Sequence, residues 1–304
     1  MISHRLLLIL TLLPNLATLH QVAYPQTPVA TTGWEPKTLA FELEPQVVLK
    51  SPQPRETDIF IMDSLGSKPR RLAEGESPAL SPDGKQIAYC IREGHWTGQI
   101  QVINVDGSGR RQLTKVKGGA CDPQWSPDGR RIAFTAYKGE RGAIYITDKN
   151  GDNATQITEG FVPRWSPDGT RIIFFRNSEG QASKGSIWTA NADGSEARKV
   201  VEDSSLAWAT SWGPDGKSVA FACERDHRWV IFRVNLDGAN LEQIASAEKL
   251  ALFFPVFSPD GQQLVVDAND GSGQGRSILL INLGNKEAKI LAPGLHPSVL
   301  WIKK

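Results

Sequence analysis

An all-β fold, a six-bladed β-propeller of four-stranded blades, is what this sequence predicts, on three observations. A nine-residue unit recurs five times, as SPDGKQIAY from Ser81, SPDGRRIAF from Ser126, SPDGTRIIF from Ser166, GPDGKSVAF from Gly213 and SPDGQQLVV from Ser258. The units start roughly 45 residues apart, a spacing characteristic of propeller blades. Short β-patterned runs fill each interval, and Asp-Gly or Asn-Gly pairs punctuate them at Asp106-Gly107, Asn150-Gly151, Asp193-Gly194 and Asp237-Gly238. Such pairs are strong short-range hairpin signals.

The third unit shows how a blade is read. Pro163-Arg164-Trp165 forms a short inner strand, and Ser166-Pro167-Asp168-Gly169 a turn. Arg171 to Arg176 makes the second strand, Ile187 to Asn191 the third, and Ala197 to Val201 the fourth. The turn chemistry is explicit. Proline pre-sets φ at the first central position, the aspartate side chain caps the local backbone, and glycine takes the positive φ. An aromatic follows two places after the inner-strand proline at Trp125, Trp165 and Phe257, with Trp212 and Leu80 in the equivalent positions. These side chains are expected to wedge between blades.

Counting strands gives the blade number. Third strands are expected at Ile59 to Met62, Ile100 to Asn104, Ile144 to Thr147, Ile187 to Ala190, Ile231 to Val234 and Ile278 to Ile281. A fourth strand follows each. The first blade lacks an inner strand upstream of Thr38 to Leu49, whereas Pro297 to Trp301 is an inner-strand pattern with no blade of its own. The C-terminal strand is therefore expected to complete the first blade and close the ring, which removes exposed sheet edges.

Composition narrows the function classes. Lys plus Arg is 34 against 33 Asp plus Glu in 304 residues, a formal net charge of +1. This is not the basic footprint of a nucleic-acid binder. Residues 1–23 read as a signal peptide, because the apolar stretch from Leu6 to Leu19 is too short and broken to span a bilayer. A Pro/Thr-rich linker is expected over 24–37 and the propeller over 38–304. Export implies a periplasmic or extracellular location with no integral membrane span. Three cysteines at wide spacing, Cys90, Cys121 and Cys223, do not form a disulfide framework, and Cys90 and Cys223 read as small buried hydrophobes.

The S-P-D-G-x-x-[IL]-[AIV]-[FYV] units, each followed by an I-[YF]-[IV] run and a D-G turn, resemble the TolB-like propeller repeat over about residues 38–304. The resemblance implies a periplasmic propeller that binds the peptidoglycan-associated lipoprotein. In that family a separate α/β domain precedes the propeller. Here only residues 24–37 separate the targeting segment from the first strand, so that domain is expected to be absent. The repeats are also similar to the propellers of prolyl-oligopeptidase-type hydrolases.

No nucleophile elbow, Walker loop or H-E-x-x-H motif occurs. His95, His227 and His296 fall in separate blades without metal-ligand spacing. No catalytic residue, metal or cofactor is therefore expected. Asp148, Asn150, Asp152 and Glu159 match part of a calcium-loop pattern, but Asn153 stands where glycine is required, so a plain hairpin is expected. Function is expected on the rim opposite the S-P-D-G turns, where varied loops join second to third strands, and at the channel mouth. The candidate partner-binding residues are His95, Trp96, Asp122, Arg164, His227 and His296. The leading reading is a monomeric, non-catalytic scaffold for a protein or envelope component. The alternatives are a polysaccharide- or peptide-acting lyase or hydrolase at the channel mouth, and a truncated Tol–Pal component.

Overall fold

The computed structural model describes residues 34–43, 58–62, 69–92, 97–178, 181–203, 206–271, 276–293 and 295–303. The targeting segment, most of the linker, His95, Trp96 and the glycine-rich stretch 272–275 lie outside them. No helix among the described residues is long and apolar enough to cross a membrane. The first strands are β1 (Trp34–Leu43), β2 (Asp58–Met62) and β3 (Arg70–Glu74). The next four are β4 (Glu76–Leu80), β5 (Gln86–Arg92), β6 (Gly98–Asn104) and β7 (Arg111–Gln112). Then come β8 (Ala120–Trp125), β9 (Arg131–Lys138), β10 (Arg141–Asp148) and β11 (Thr155–Glu159), followed by β12 (Phe161–Trp165), β13 (Arg171–Ser178), β14 (Gln181–Asn191) and β15 (Arg198–Asp203). The chain continues through β16 (Leu206–Trp212), β17 (Ser218–Arg225), β18 (Arg228–Asn235) and β19 (Glu242–Ala245). It ends with β20 (Ala251–Phe257), β21 (Gln263–Asn269), β22 (Arg276–Asn282), β23 (Ala288–Pro293) and β24 (Leu295–Lys303).

The fold is an all-β propeller of four-stranded blades. Five antiparallel sheets are built from consecutive strands, beginning at β4, β8, β12, β16 and β20. A further sheet, in the order β24-β1-β2-β3, joins the two ends of the described chain, with Thr38 opposite Leu300 and Leu39 opposite Val299. Strand β1 begins at Trp34, inside the segment expected to be linker. The innermost strands pack in sequence, β4 on β8, β8 on β12, β12 on β16 and β16 on β20, while β24 touches both β4 and β20.

The core lies between blades. One cluster joins Ala88, Ile100 and Val102 to Trp125, Ile132 and Phe134 of the next sheet. Another joins Ala220, Ala222 and Ile231 to Leu252, Leu264 and Val266. Trp125, Trp165, Trp212, Phe257 and Leu80 are all buried there, as wedges should be. The indoles also reach across. Trp125 Nε1 donates to Ala79 O (3.1 Å), Trp165 Nε1 to Gln124 O (3.2 Å) and Trp212 Nε1 to Arg164 O (2.9 Å). From the far side, the Arg131 guanidinium lies 4.5 Å over the Trp165 ring and that of Arg171 5.2 Å over Trp212. Each of these arginines also donates to the turn glycine of the following blade, Gly169 or Gly216. Neighbouring blades are thus stapled by hydrogen bonds and cation–π contacts as well as by apolar burial.

The S-P-D-G turns act through the side chains that the sequence points to. Ser166 Oγ donates to Asp168 Oδ1 at 2.6 Å, Thr170 N donates to the same oxygen at 3.0 Å, and Arg171 N donates to Ser166 Oγ at 2.9 Å. Gly169, at φ 69°, supplies the left-handed position. The fourth repeat reverses the arrangement. Gly213 has no hydroxyl, and Ser218 on the far side of the turn donates to Asp215 Oδ1 at 3.0 Å instead.

Two expectations about cysteine are corrected. Cys90 on β5 and Cys121 on β8 are joined in a disulfide with Cα atoms 5.1 Å apart, so Cys90 is not merely a small buried hydrophobe. The bridge ties two neighbouring blades. Spacing alone hides it because propeller neighbours are close in space while roughly a blade apart in sequence. Cys223 is buried, as expected, and lies outside the bridge.

Candidate functional site

Each inner strand opens with an irregularity in its pairing to the second strand. The register shifts between Glu76 and Ala79, Cys121 and Gln124, Phe161 and Arg164, and Phe253 and Val256. At each shift one non-glycine residue takes a positive φ: Ser77 (52°), Asp122 (54°), Val162 (53°) and Phe254 (49°). For β-branched Val162 this is a strained backbone. It recurs blade after blade, so the bulge belongs to the fold. It re-aims the side chains at the entrance of each inner strand. Where these are apolar they are buried, as at Phe161 and Val162, or half-buried, as at Phe254. Where they are polar, at Ser77 and Asp122, they form a site.

That site sits between the sheets beginning at β4 and β8. Asp122 accepts hydrogen bonds from Tyr137 Oη (2.7 Å, to Oδ2) and Ser77 Oγ (3.2 Å, to Oδ1). Burial, reinforced by the Asp122 charge, pushes the Tyr137 phenol far above its ordinary range, so Tyr137 is a permanent donor here. Glu76 pairs with Arg92, and Cys121 Sγ lies 3.7 Å from Glu76 Oε1. Arg92, Thr97, Gly98, Ala120, Tyr137 and the two bridged cysteines line a shallow recess at this place. The sulfur atoms of Cys90 and Cys121 and the Glu76 carboxylate are close enough to share a metal ion. With the sulfurs bonded to each other, they lack the thiolates such an ion needs.

The recess is on the rim that carries the β5–β6, β9–β10 and β17–β18 connections, opposite the S-P-D-G turns. Arg164 lies deeper, on β12. Burial lowers its pKa from the usual arginine value, and the Asp122 charge acts in the opposite direction, so the two residues share one electrostatic neighbourhood. His227 stands on the same rim at the tip of the β17–β18 hairpin, with φ 60° and its side chain fully exposed; its Nδ1 is 4.0 Å from Glu224 Oε1. His296 falls on β24, with its side chain outside the described set. His95 and Trp96 lie outside the described residues. Of the six sequence candidates, then, Asp122 and Arg164 lie on neighbouring innermost strands, and His227 occupies the exposed edge of the rim.

Ser77, Glu76, Arg92 and Tyr137 were not singled out from the sequence. Counting from the S-P-D-G units would have found the bridge among them. Cys90 lies nine residues after Ser81 and Cys121 five residues before Ser126, which puts both at the same end of adjacent blades. The calcium-loop pattern resolves as a hairpin. Asp148 Oδ1 accepts from Asn150 N (2.8 Å) and Asp152 N (3.1 Å), and Glu159 is on the following strand.

The comparisons with known proteins agree with this architecture. The model of the TolB beta propeller domain matches residues 44–162 and 159–299. Dipeptidyl-peptidase 5 of Porphyromonas gingivalis is 37% identical over 73 residues, covering 22% of this chain and 11% of that protein. The Tol-Pal system protein TolB of Bordetella pertussis is 26% identical over 164 residues, covering 51% of this chain and 36% of that protein. Among solved structures, TolB from Acinetobacter baumannii superposes with a TM-score of 0.68 at 22% identity, covering 88% of this chain and 67% of that one. The chain spans about a third or less of the length of these curated relatives. With the family model matching most of its length, on a propeller of four-stranded blades, this chain belongs to the TolB beta propeller domain family.

Proposed function

We propose that this protein is a non-catalytic, extracytoplasmic binding scaffold that holds a protein or cell-envelope component at its loop-rich rim and channel mouth. The observation that carries the reading is the Asp122–Tyr137–Ser77 and Glu76–Arg92 cluster, set rigidly by inner-strand bulges and a disulfide on that rim. Rigid scaffolds presenting polar and charged groups are suited to recognition, because little conformational entropy is lost on binding. The inter-blade disulfide favours an oxidising compartment, periplasmic or extracellular. The similarity to TolB of the Tol-Pal system makes the peptidoglycan-associated lipoprotein the first partner to test. We further infer a ring of six blades in which the β24-β1-β2-β3 sheet is the closing blade. Support comes from β24 pairing with β1 while it packs against both β4 and β20.

The test is affinity capture from native envelope and secreted fractions by the full chain and by an Arg164→Gln/His227→Ala variant. A partner enriched by the wild type and lost with a variant of unchanged melting temperature is expected. Equal capture by both would remove this rim from the reading. A peptidase reading draws on the dipeptidyl-peptidase similarity, which covers 11% of that protein. Peptide hydrolysis by the purified chain would favour it.

A further inference from the structure

One level into the channel, the inner strands present equivalent residues: Ala79, Gln124, Arg164, Ser211 and Val256, each opposite the corresponding residue of its second strand. The next residue in each strand is buried between blades. Strand alternation therefore puts this row on the opposite face of each innermost strand from those buried residues. Ala79 is buried, and the other four are partly exposed. Arg164 carries five N–H donors. It uses one, from Nη1 to the carbonyl of Pro163 at 3.0 Å, and among the described residues no carboxylate lies within 4.0 Å of it. Beside it on β8, the Gln124 carboxamide makes no side-chain hydrogen bond among the described residues, while Gln124 O is held by the Trp165 indole. Ser211 Oγ donates to Trp212 O at a long 3.3 Å.

A half-buried guanidinium that uses one of its donors keeps the others available to a ligand, and proteins pair such charges. Here the backbone is fixed by the Trp165 and Trp212 staples, so Arg164 cannot escape by moving its strand. We propose that this level of the channel is a carboxylate-binding site, with the Arg164 fork clamping both oxygens of a partner peptide's carboxylate and the Gln124 amide donating to the same group. The fork geometry of arginine matches the planar carboxylate. The site offers one guanidinium, with Nη1 already given to the Pro163 carbonyl, so a monoanion fits and a phosphate dianion is disfavoured. The inference rests on the channel mouth being the binding face, and it names the chemistry recognised there.

The test is NMR of the full chain labelled with 15N-arginine, titrated with sodium acetate at constant ionic strength. A saturable shift of the Arg164 Hε resonance is expected, with a dissociation constant on the order of millimolar, together with its disappearance in Arg164→Gln and at least about tenfold weakening in Gln124→Leu. N-acetylglutamate amide and N-acetylalanine then separate a side-chain carboxylate from a chain terminus, and whichever binds more tightly identifies the source. No saturable shift with any of the three, or a stronger response to phosphate than to acetate, would overturn the proposal. If Arg164→Gln fails to fold, Gln124→Leu carries the test alone. Acetate binding with no partner captured would keep the site and refute the scaffold reading. Capture without acetate binding would do the reverse.

Discussion

Breaking the Cys90–Cys121 bridge is the perturbation whose size can be worked out most directly. The bonded residues are 31 apart in sequence. A loop of that length, closed in the unfolded chain, contributes about 3–4 kcal/mol through lost chain entropy. Both cysteines are buried. For a domain of this size that stability corresponds to roughly 6 °C in melting temperature. Calorimetry with and without dithiothreitol is the assay, with the Cys90→Ala/Cys121→Ala variant as control. The wild type should melt roughly 6 °C lower when reduced, and the double variant should ignore the reductant. Thiol titration in non-reducing denaturant should give one free thiol per chain, that of Cys223. Three thiols, or a melting temperature indifferent to reductant, would refute the bridge and with it the redox argument for export.

Three other outcomes follow from the repeats. A Cβ on Gly213 runs into Ser218 Oγ, so Gly213→Ser should cost about 1–3 kcal/mol. Adding Ser218→Arg, the residue that the two preceding repeats carry there, should recover most of it, and additive costs in denaturant melts would contradict the swapped-hydroxyl reading. Trp165→Phe removes the indole donor to Gln124 O and weakens the Arg131 stack, for a loss of about 1–3 kcal/mol, measurable as a lower urea midpoint. In acid, hydrogen bonds from Ser81, Ser126 and Ser166 hold Asp83, Asp128 and Asp168 below the ordinary carboxylate range, Asp168 at about 2. A depressed folded pKa means stability that is full above about pH 4 and lost as the pH falls through the folded value. The urea midpoint should therefore drop between about pH 4 and pH 2. Ser166→Ala should flatten that drop, and an unchanged slope would sink the turn-hydroxyl explanation.

Much of the architecture was legible because each blade repeats the same local physics. The S-P-D-G turns, the hairpin pairs and the buried Trp125, Trp165 and Trp212 follow from turn chemistry and aromatic placement within one repeat, so reading one blade reads most of them. The strand β1 was placed late, from Thr38, because Pro36 in WEPKTLAFEL argues against a strand there, while its pairing with β24 overrides local preference. The disulfide escaped for a different reason. It depends on which residues of adjacent blades share a rim, which raw cysteine spacing does not encode. At the candidate site, Arg164 and Asp122 were legible as polar residues flanking inner strands. Tyr137, Ser77 and Arg92 were not, because their roles come from the inner-strand bulge that turns Asp122 toward them, and nothing in the local sequence announces a positive φ at an aspartate.

The distinction between scaffold and enzyme is the central claim, and one measurement addresses it most directly. A captured partner is incubated with a stoichiometric amount of the full chain, and its intact mass is followed over hours by mass spectrometry alongside the bound fraction. A binding scaffold predicts a partner that stays bound, one per chain, with unchanged mass. Progressive conversion to cleaved or eliminated products, abolished by substituting residues of the channel mouth, would contradict it and make this rim a catalytic one.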